Sequence, residues 1–156
     1  MSSGFEPVYD ENSKILILGS FPSVLSRKNS FYYGNPRNRF WETVSKIFGE
    51  NQPHTIEDKI DFLHRNNIAI WDIVESCDLV GSADSNIKNF KVVNLSKILD
   101  FSKISAIICN GKKCYEIFSK NYDLPIKVYC VPSTSPANVS FSESKWFEVF
   151  KEIYGK

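Results

Sequence analysis

The arrangement of apolar and polar positions along the chain predicts strands that alternate with helices. Four short apolar runs are typical of buried β-strands, at residues 15–18, 68–74, 104–109 and 126–131. The first and third are almost continuous, as expected for strands of a parallel sheet that is covered on both faces. We therefore predict a three-layer α/β/α sandwich with a central, mainly parallel four-stranded sheet.

Between these runs, apolar residues recur at helical spacing. The pattern predicts helices that follow residue 38, follow residue 55, span 111–122 and span 142–154. Asn38 lies where an N-cap is expected, Thr55 begins a capping-box-like sequence, and residues 140–143 fit a second capping box. Tyr115 and Phe118 are predicted to face inwards from the third helix.

The loops that leave the strands are the predicted location of function, because ligands of open α/β sheets bind beyond the carboxyl ends of the strands. These loops comprise residues 19–37, 75–91, 110–111 and 132–140. The first is much longer than the 2–6 residues that usually connect a strand to a helix, and long loops are commonly functional.

Composition places the chain among ordinary globular proteins. With 156 residues, 42% hydrophobic and 24% charged, it fits one domain over residues 1–156, and it excludes a disordered tail, a collagen-like repeat or a free-standing coiled coil. The net charge of +1 argues against a polybasic nucleic-acid coat.

Cysteine and histidine positions indicate no metal site and no cofactor. The four cysteines form no Cys-x-x-Cys pair, and neither His54 nor His64 has a Cys or His at ligand spacing. The N-terminus lacks a secretory signal, and no apolar run approaches membrane-spanning length. We expect a soluble, cytoplasmic protein without a membrane partner, associated with the nucleoid if the source is a prokaryote.

The charge is unevenly distributed. Residues 12–41 contain 5 of the 19 basic residues and no acidic residue, so the remaining 14 share the rest of the chain with all 18 acidic ones. The same segment holds the aromatic run 31–33 close to Arg37 and Arg39. Stacking faces beside cations suit an unstacked nucleotide. A surface loop whose aromatics anchor it in the core explains these residues equally well.

The last loop, residues 132–138, carries three hydroxyl side chains, two prolines and an amide. Ser and Thr can donate to phosphate oxygens, while proline stiffens the backbone. Considered alone, this loop is better explained as a rigid turn before the final helix.

Together the two loops resemble a known family. Residues 19–23 read Gly-Ser-Phe-Pro-Ser, residues 31–41 read Phe-Tyr-Tyr-Gly-Asn-Pro-Arg-Asn-Arg-Phe-Trp, and residues 132–138 read Pro-Ser-Thr-Ser-Pro-Ala-Asn. This set is similar to the uracil-DNA glycosylase superfamily, and within it to the hypoxanthine-DNA (deoxyinosine) glycosylase branch. Segments 70–77 and 81–87 also resemble that branch, and 108–116 resembles the mismatch-specific uracil glycosylases. The resemblance extends from about residue 5 to 154, in the same order.

The resemblance implies a monofunctional DNA repair enzyme that flips a deaminated base, most consistently hypoxanthine, out of DNA and hydrolyses its N-glycosidic bond. It implies DNA containing such a base as the partner, and we expect a monomer. A uracil or G:U/G:T mismatch glycosylase is the enzymatic alternative, and a non-catalytic single-strand binder is the alternative from another class. Nucleoside-triphosphate hydrolysis is disfavoured, because the Gly-Lys-Lys sequence at Gly111 lacks the preceding glycine of a P-loop.

The resemblance also suggests roles for individual residues. Uracil-directed relatives carry Asn or Asp where this chain has Phe21, and the second-loop histidine of the best-known uracil enzymes is absent from the region of Ser133 and Ser135. The deoxyinosine branch uses the Asn of Asn-Arg-Phe-Trp, so Asn38 is predicted to orient the attacking water, although an N-cap alone would also explain it. Tyr33 matches the position whose ring stacks on the flipped base.

The remaining predicted positions form two groups. Those expected to line the base pocket with Tyr33 are Gly19, Ser20, Phe21, Asp84 and Asn110. Those expected to contact DNA are Arg37, Arg39, Lys112, Ser133, Thr134, Ser135 and Asn138. The alternatives are an Asx-turn for Asp84, the start of a helix for Asn110 and simple solvation for each cation. A residue that fills the vacated base stack is expected near residues 137–139.

Overall fold

Seven strands and five helices make up the regular structure of the part of the chain described by the computed structural model, namely residues 2–3, 5–21, 28, 31–79 and 87–155. The strands are β1 (Ser2–Ser3), β2 (Ile15–Gly19), β3 (Ile68–Asp72), β4 (Val74–Leu79), β5 (Ile87–Val92), β6 (Ala106–Asn110) and β7 (Lys127–Val131). The helices are α1 (Phe40–Phe48), α2 (Ile56–Arg65), α3 (Ser96–Leu99), α4 (Lys112–Asn121) and α5 (Glu143–Tyr154).

The central sheet has four strands in the order β3-β2-β6-β7, and every pairing in it is parallel. Its strands match the four predicted apolar runs, with boundaries that differ by one or two residues. The predicted fold class is therefore confirmed. In the register of this sheet, Gly19 at the end of β2 lies opposite Asp72 at the end of β3.

Alternate residues of β2 face two separate cores. Ile15 and Ile17 pack with a cluster that includes Phe62 of α2 and Trp146 of α5, as well as aromatic residues of α1. Leu16 and Leu18 instead pack with buried residues of α3 and α4. Because both faces of the strand are covered, its sequence is continuously apolar, and the sheet forms the middle layer of three.

A second sheet replaces part of a predicted strand and a predicted loop. Residues 68–74 were expected to form one strand and 75–91 a loop, but the chain leaves the parallel sheet after Asp72 and forms an antiparallel sheet of order β1-β4-β5. At the crossing point, the Ile73 N–H donates to the carbonyl of Gly19 at 2.7 Å and the Val74 N–H to that of Ser20 at 3.0 Å. These bonds turn the chain where its parallel partner ends.

Helix boundaries confirm one predicted cap and correct others. The Thr55 hydroxyl accepts a hydrogen bond from the Asp58 N–H at 3.0 Å, as a capping residue should. The second predicted capping box is wrong, because α5 begins at Glu143 with Ser142 at the N-cap, and the Ser142 hydroxyl lies 2.7 Å from that of Ser144. Tyr115 was predicted to face inwards but is 40% exposed.

In α4, positions 114, 117 and 118 face the core instead, so the inward face is rotated away from Tyr115 while Phe118 remains on it. Within the described residues, no helix has the length and apolarity needed to cross a membrane.

Replacing Thr55 with Ala should lower the free energy of unfolding by about 1 kcal/mol, because the Asp58 N–H would lose its capping acceptor. Urea denaturation measures this difference. The matched Thr55→Ser variant retains a hydroxyl and should unfold close to the parent midpoint. Equal losses in the two variants would show that the hydroxyl contributes nothing as a cap.

Candidate active site

The four parallel strands end at one edge of the central sheet, and the residues at these ends surround the candidate site. The strand ends are Gly19, Asp72, Asn110 and Val131. Beyond β2, the Tyr33 side chain lies beside Gly19, and beyond β7, Ser133 lies beside Gly111, the residue after β6. Ligands of open parallel sheets bind at this edge.

The three aromatic residues at positions 31–33 differ in burial: two anchor the chain in the core, and one is partly exposed at the candidate site. Phe31 and Tyr32 are buried in the core, so for these two the anchoring alternative is correct. The Tyr32 hydroxyl donates to the carbonyl of Glu6 at 2.7 Å. Burial, followed by the negative charge of Asp72, raises the pKa of the Tyr32 hydroxyl. Of the three rings, only that of Tyr33 is partly exposed.

Tyr33 is held in a defined orientation. Its backbone adopts the left-handed conformation, with φ of 52°, which is uncommon for a residue other than glycine. Its ring stacks on that of Phe40, the first residue of α1, at a centroid distance of 4.3 Å and an interplanar angle of 28°. One face of the tyrosine ring is thus supported by the core, which leaves the opposite face as the one that a planar ligand can use.

The hydroxyl of Tyr33 and the carboxyl group of Asp72 both approach Gly19 at the end of β2. A Cβ atom placed on Gly19 would lie 2.5 Å from Asp72 Oδ1 and 2.7 Å from the Tyr33 hydroxyl oxygen. Only a glycine leaves room for both groups. Asp72 is 4% exposed and was not among the predicted site residues. In the sequence, Asp72 lies inside the apolar run 68–74, and the run alone does not show that the strand ends at this carboxylate.

Asn38 lies at the start of α1, one residue before the N-cap, which is Arg39 rather than the predicted Asn38. Its Oδ1 accepts a hydrogen bond from the Phe40 N–H at 2.9 Å, so the side chain still bonds to the first turn. An amide oxygen has two lone pairs and its nitrogen two donors. The half-buried Asn38 side chain therefore has a fixed direction and further capacity to bind water.

Asn110 and Thr134 form a reciprocal pair beneath the last loop. Asn110 Nδ2 donates to Thr134 Oγ1 at 3.0 Å, and the Thr134 N–H donates to Asn110 Oδ1 at 3.0 Å. Thr134 is 0% exposed, so its side chain is not placed for the predicted phosphate contact. The N-cap of α4 is Gly111, so Asn110 supports the loop after β7 instead of starting the helix.

The last loop is stiffened by its own hydrogen bonds. The hydroxyl of Ser133 accepts from the Ser135 N–H, and that of Ser135 accepts from the Ala137 N–H, each at 3.2 Å. The Asn138 side chain donates to the Ser133 carbonyl at 3.0 Å and accepts from the Ser140 N–H at 3.1 Å. The predicted DNA-contact residues of this loop thus also fix its shape.

The other predicted site residues differ in burial. Ser20 and Phe21 are buried, and Phe21 packs in the core on the α4 side of the sheet. Arg37 and Lys112 are exposed, and Lys112 is the first residue of α4. Asp84 lies outside the described residues.

Sequence and structure comparisons agree on the family. A sequence model of the uracil DNA glycosylase superfamily matches residues 6–155. The chain belongs to that superfamily. A protein from Methanosarcina acetivorans named hypoxanthine DNA glycosylase is 40% identical over 155 residues, covering 95% of this chain and 97% of the relative. A protein of the same name from Methanosarcina barkeri is 35% identical with the same coverage.

A solved structure shares the fold of this superfamily member. The solution NMR structure of a candidate uracil DNA glycosylase from Methanosarcina acetivorans superposes with a TM-score of 0.85. The two sequences are 38% identical, and the superposition covers 97% of this chain and 98% of the other. The three-layer arrangement described above is therefore also that of a relative.

Gly19→Ala should destabilise this glycosylase-superfamily chain by about 1–3 kcal/mol, since the added methyl group would overlap both Asp72 and Tyr33. In a Tyr33→Phe background the same substitution should cost less, because one of the two overlapping atoms is removed. Urea unfolding of the two single variants and the double variant measures this coupling. Strictly additive losses would contradict the crowding of these groups around Gly19.

Proposed function

We propose that this protein is a monofunctional DNA glycosylase that hydrolyses the N-glycosidic bond of hypoxanthine in DNA. The observation that carries this proposal is that Phe40 orients both Asn38 and Tyr33. The Phe40 N–H donates to Asn38 Oδ1, and the Phe40 ring stacks on that of Tyr33. Hypoxanthine is favoured because two relatives at 40% and 35% identity bear the name hypoxanthine DNA glycosylase.

Tyr33 supplies the surface for the flipped base. Extrusion of a nucleotide from a duplex costs a few kcal/mol, which stacking and hydrogen bonds in the pocket must offset. Stacking of a base on an aromatic ring contributes about 1–3 kcal/mol. Because Phe40 supports the ring and the residue is conformationally fixed, little of that energy is lost to ordering Tyr33 on binding.

Asn38 orients the attacking water. Cleavage of a glycosidic bond develops oxocarbenium-like positive charge on the sugar, and this cation is electrophilic enough to react with water that is placed but not deprotonated. Oδ1 of Asn38 accepts a hydrogen bond from the water, whose oxygen then faces the anomeric carbon. As the bond breaks, the electron pair leaves with the base, and the proton released by water passes to solvent or to the base.

The edge of the site supplies contacts to the DNA backbone and a wedge. Arg37 and Lys112 are exposed cations that lie beyond the carboxyl ends of β2 and β6, and Ser133 and Ser135 belong to the last loop. Val139 is apolar and 94% exposed, and it lies between Asn138 and Ser140 in the hydrogen-bonded part of this loop. We assign Val139 to fill the space that the flipped base leaves in the stack, a use of apolar side chains known from DNA-kinking proteins.

Release of hypoxanthine from duplex oligonucleotides is the experiment that tests the proposed activity. Duplexes with a single hypoxanthine, uracil, mismatched thymine or adenine are incubated with the protein, and abasic sites are then cleaved with alkali. We expect the greatest rate with hypoxanthine and none with adenine. Faster release of uracil would overturn the substrate assignment, and binding without release of any base would favour the single-strand binder.

Asn38→Ala should lower the single-turnover rate of base release by about 10²-fold or more, the range typical of a lost positioning or proton-transfer group. Asn38→Ser is the matched control for the helix-start role, because serine also accepts a hydrogen bond from an N–H of the first turn. We expect the serine variant to unfold near the parent temperature while losing as much activity as the alanine variant. Full activity in the serine variant would show that Asn38 serves only to accept the hydrogen bond from the first turn of α1.

A further inference from the structure

We propose that Arg39 is a positioning residue that fastens the loop carrying Val139 to the helix start carrying Asn38. This proposal rests on the function assigned above and goes beyond it, because it gives Arg39 a role within the protein in place of the predicted phosphate contact.

Arg39 contacts the last loop through both its backbone and its side chain. Its N–H donates to the carbonyl of Thr134 at 3.1 Å. Its Nη1 donates to the carbonyl of Asn138 at 3.1 Å and lies 3.5 Å from the carbonyl oxygen of Ser135. The guanidinium carbon is 4.9 Å from the centroid of the Phe141 ring. Arg39, a residue of the first loop, thus contacts the last loop at several points along its length.

The geometry requires arginine and not merely a positive charge. A guanidinium group directs several N–H donors in fixed directions from a flat surface, so it can contact two carbonyl oxygens and an aromatic face at once. An ammonium group at the end of a lysine side chain has no such plane. Arg37, two residues earlier, is exposed, and its backbone N–H donates to Asn35 Oδ1 at 3.0 Å.

The contacts of Arg39 join the two parts of the site that must act on the same nucleotide. Asn38 precedes Arg39, and Val139 follows Asn138, whose carbonyl Arg39 binds. The Arg39 side chain therefore contributes directly to the distance between the water-positioning amide and the wedge. A displacement of about 1 Å in such a group can lower a rate on the order of 10²-fold, so this fastening has a kinetic consequence.

Arg39→Gln and Arg39→Lys separate positioning from phosphate binding. Affinity is measured against salt concentration on a duplex with a non-cleavable tetrahydrofuran abasic site, and base release is measured under single-turnover conditions with the protein in excess. We expect Arg39→Gln to retain the parent salt slope. Arg39→Lys should keep the charge yet release base on the order of 10- to 100-fold more slowly.

The comparator for a phosphate contact is Arg37→Gln, which should reduce the salt slope by about 1. Lys120→Gln is the neutral control, because Lys120 is exposed near the end of α4, at the opposite edge of the sheet. A reduced slope in Arg39→Gln together with near-parent activity in Arg39→Lys would overturn the positioning role in favour of a phosphate contact.

A double-variant cycle with Val139→Ala tests whether Arg39 acts through the wedge. If it does, Arg39→Lys should slow base release far less in the Val139→Ala background than in the parent. The fluorescence of a 2-aminopurine placed next to the lesion should also report the same loss of base flipping in both single variants. Independent, multiplying losses would contradict this route.

If either Arg39 variant fails to fold, Phe141→Leu tests the same contact. It removes the aromatic face beside the guanidinium without changing the charge, and it should slow base release with an unchanged salt slope; parent-like release would contradict the proposal. If the parent protein releases no base from any lesion, the proposed function fails, whereas the salt slopes of Arg39→Gln and Arg37→Gln still decide whether Arg39 contacts phosphate.

Discussion

The site depends on hydrogen bonds between two loops whose strands are not neighbours in the sheet. The first loop follows β2 and the last follows β7, and β6 lies between them. Asn110, at the end of β6, supports Thr134 from below, while Arg39 binds the same loop from the side. The indole N–H of Trp146 donates to the carbonyl of Pro132 at 2.9 Å and fixes where the loop begins. The bonds of Arg39 connect the two loops directly, whereas those of Asn110 and Trp146 hold the last loop against the sheet and α5.

The layered fold could be predicted from sequence because burial on both faces leaves a local signal. Each strand of the central sheet is a short apolar run, and segments of helical spacing lie between the first and second runs, between the third and fourth, and after the fourth. The second sheet left no such signal. Whether the chain beyond Asp72 continues in the parallel sheet depends on where β2 ends, and that is a property of a distant segment. Hydrogen bonds from residues 73 and 74 to the end of β2 decide it.

Within the site, the sequence could indicate the kind of residue but not the direction of its side chain. Phe31 and Tyr33 are both aromatic residues of one run, yet only Tyr33 is partly exposed and stacked at the edge of the sheet. Arg37 and Arg39 are equally basic, and tertiary contacts alone distinguish the exposed one from the one that binds carbonyl groups. Asp72 was missed for the reason that the second sheet was missed. Side-chain direction is set by packing between segments that are far apart in the chain.

A crystal structure with duplex DNA that carries a 2′-fluorinated deoxyinosine, whose fluorine suppresses hydrolysis by destabilising the cationic transition state, tests most directly whether Asn38 and Tyr33 act on one nucleotide. We expect the hypoxanthine base outside the duplex, stacked on the face of Tyr33 opposite Phe40, with Asn38 Oδ1 bonded to a water that faces the anomeric carbon. A base that remained in the duplex, or an anomeric carbon too far from Asn38 for one bridging water, would contradict this account.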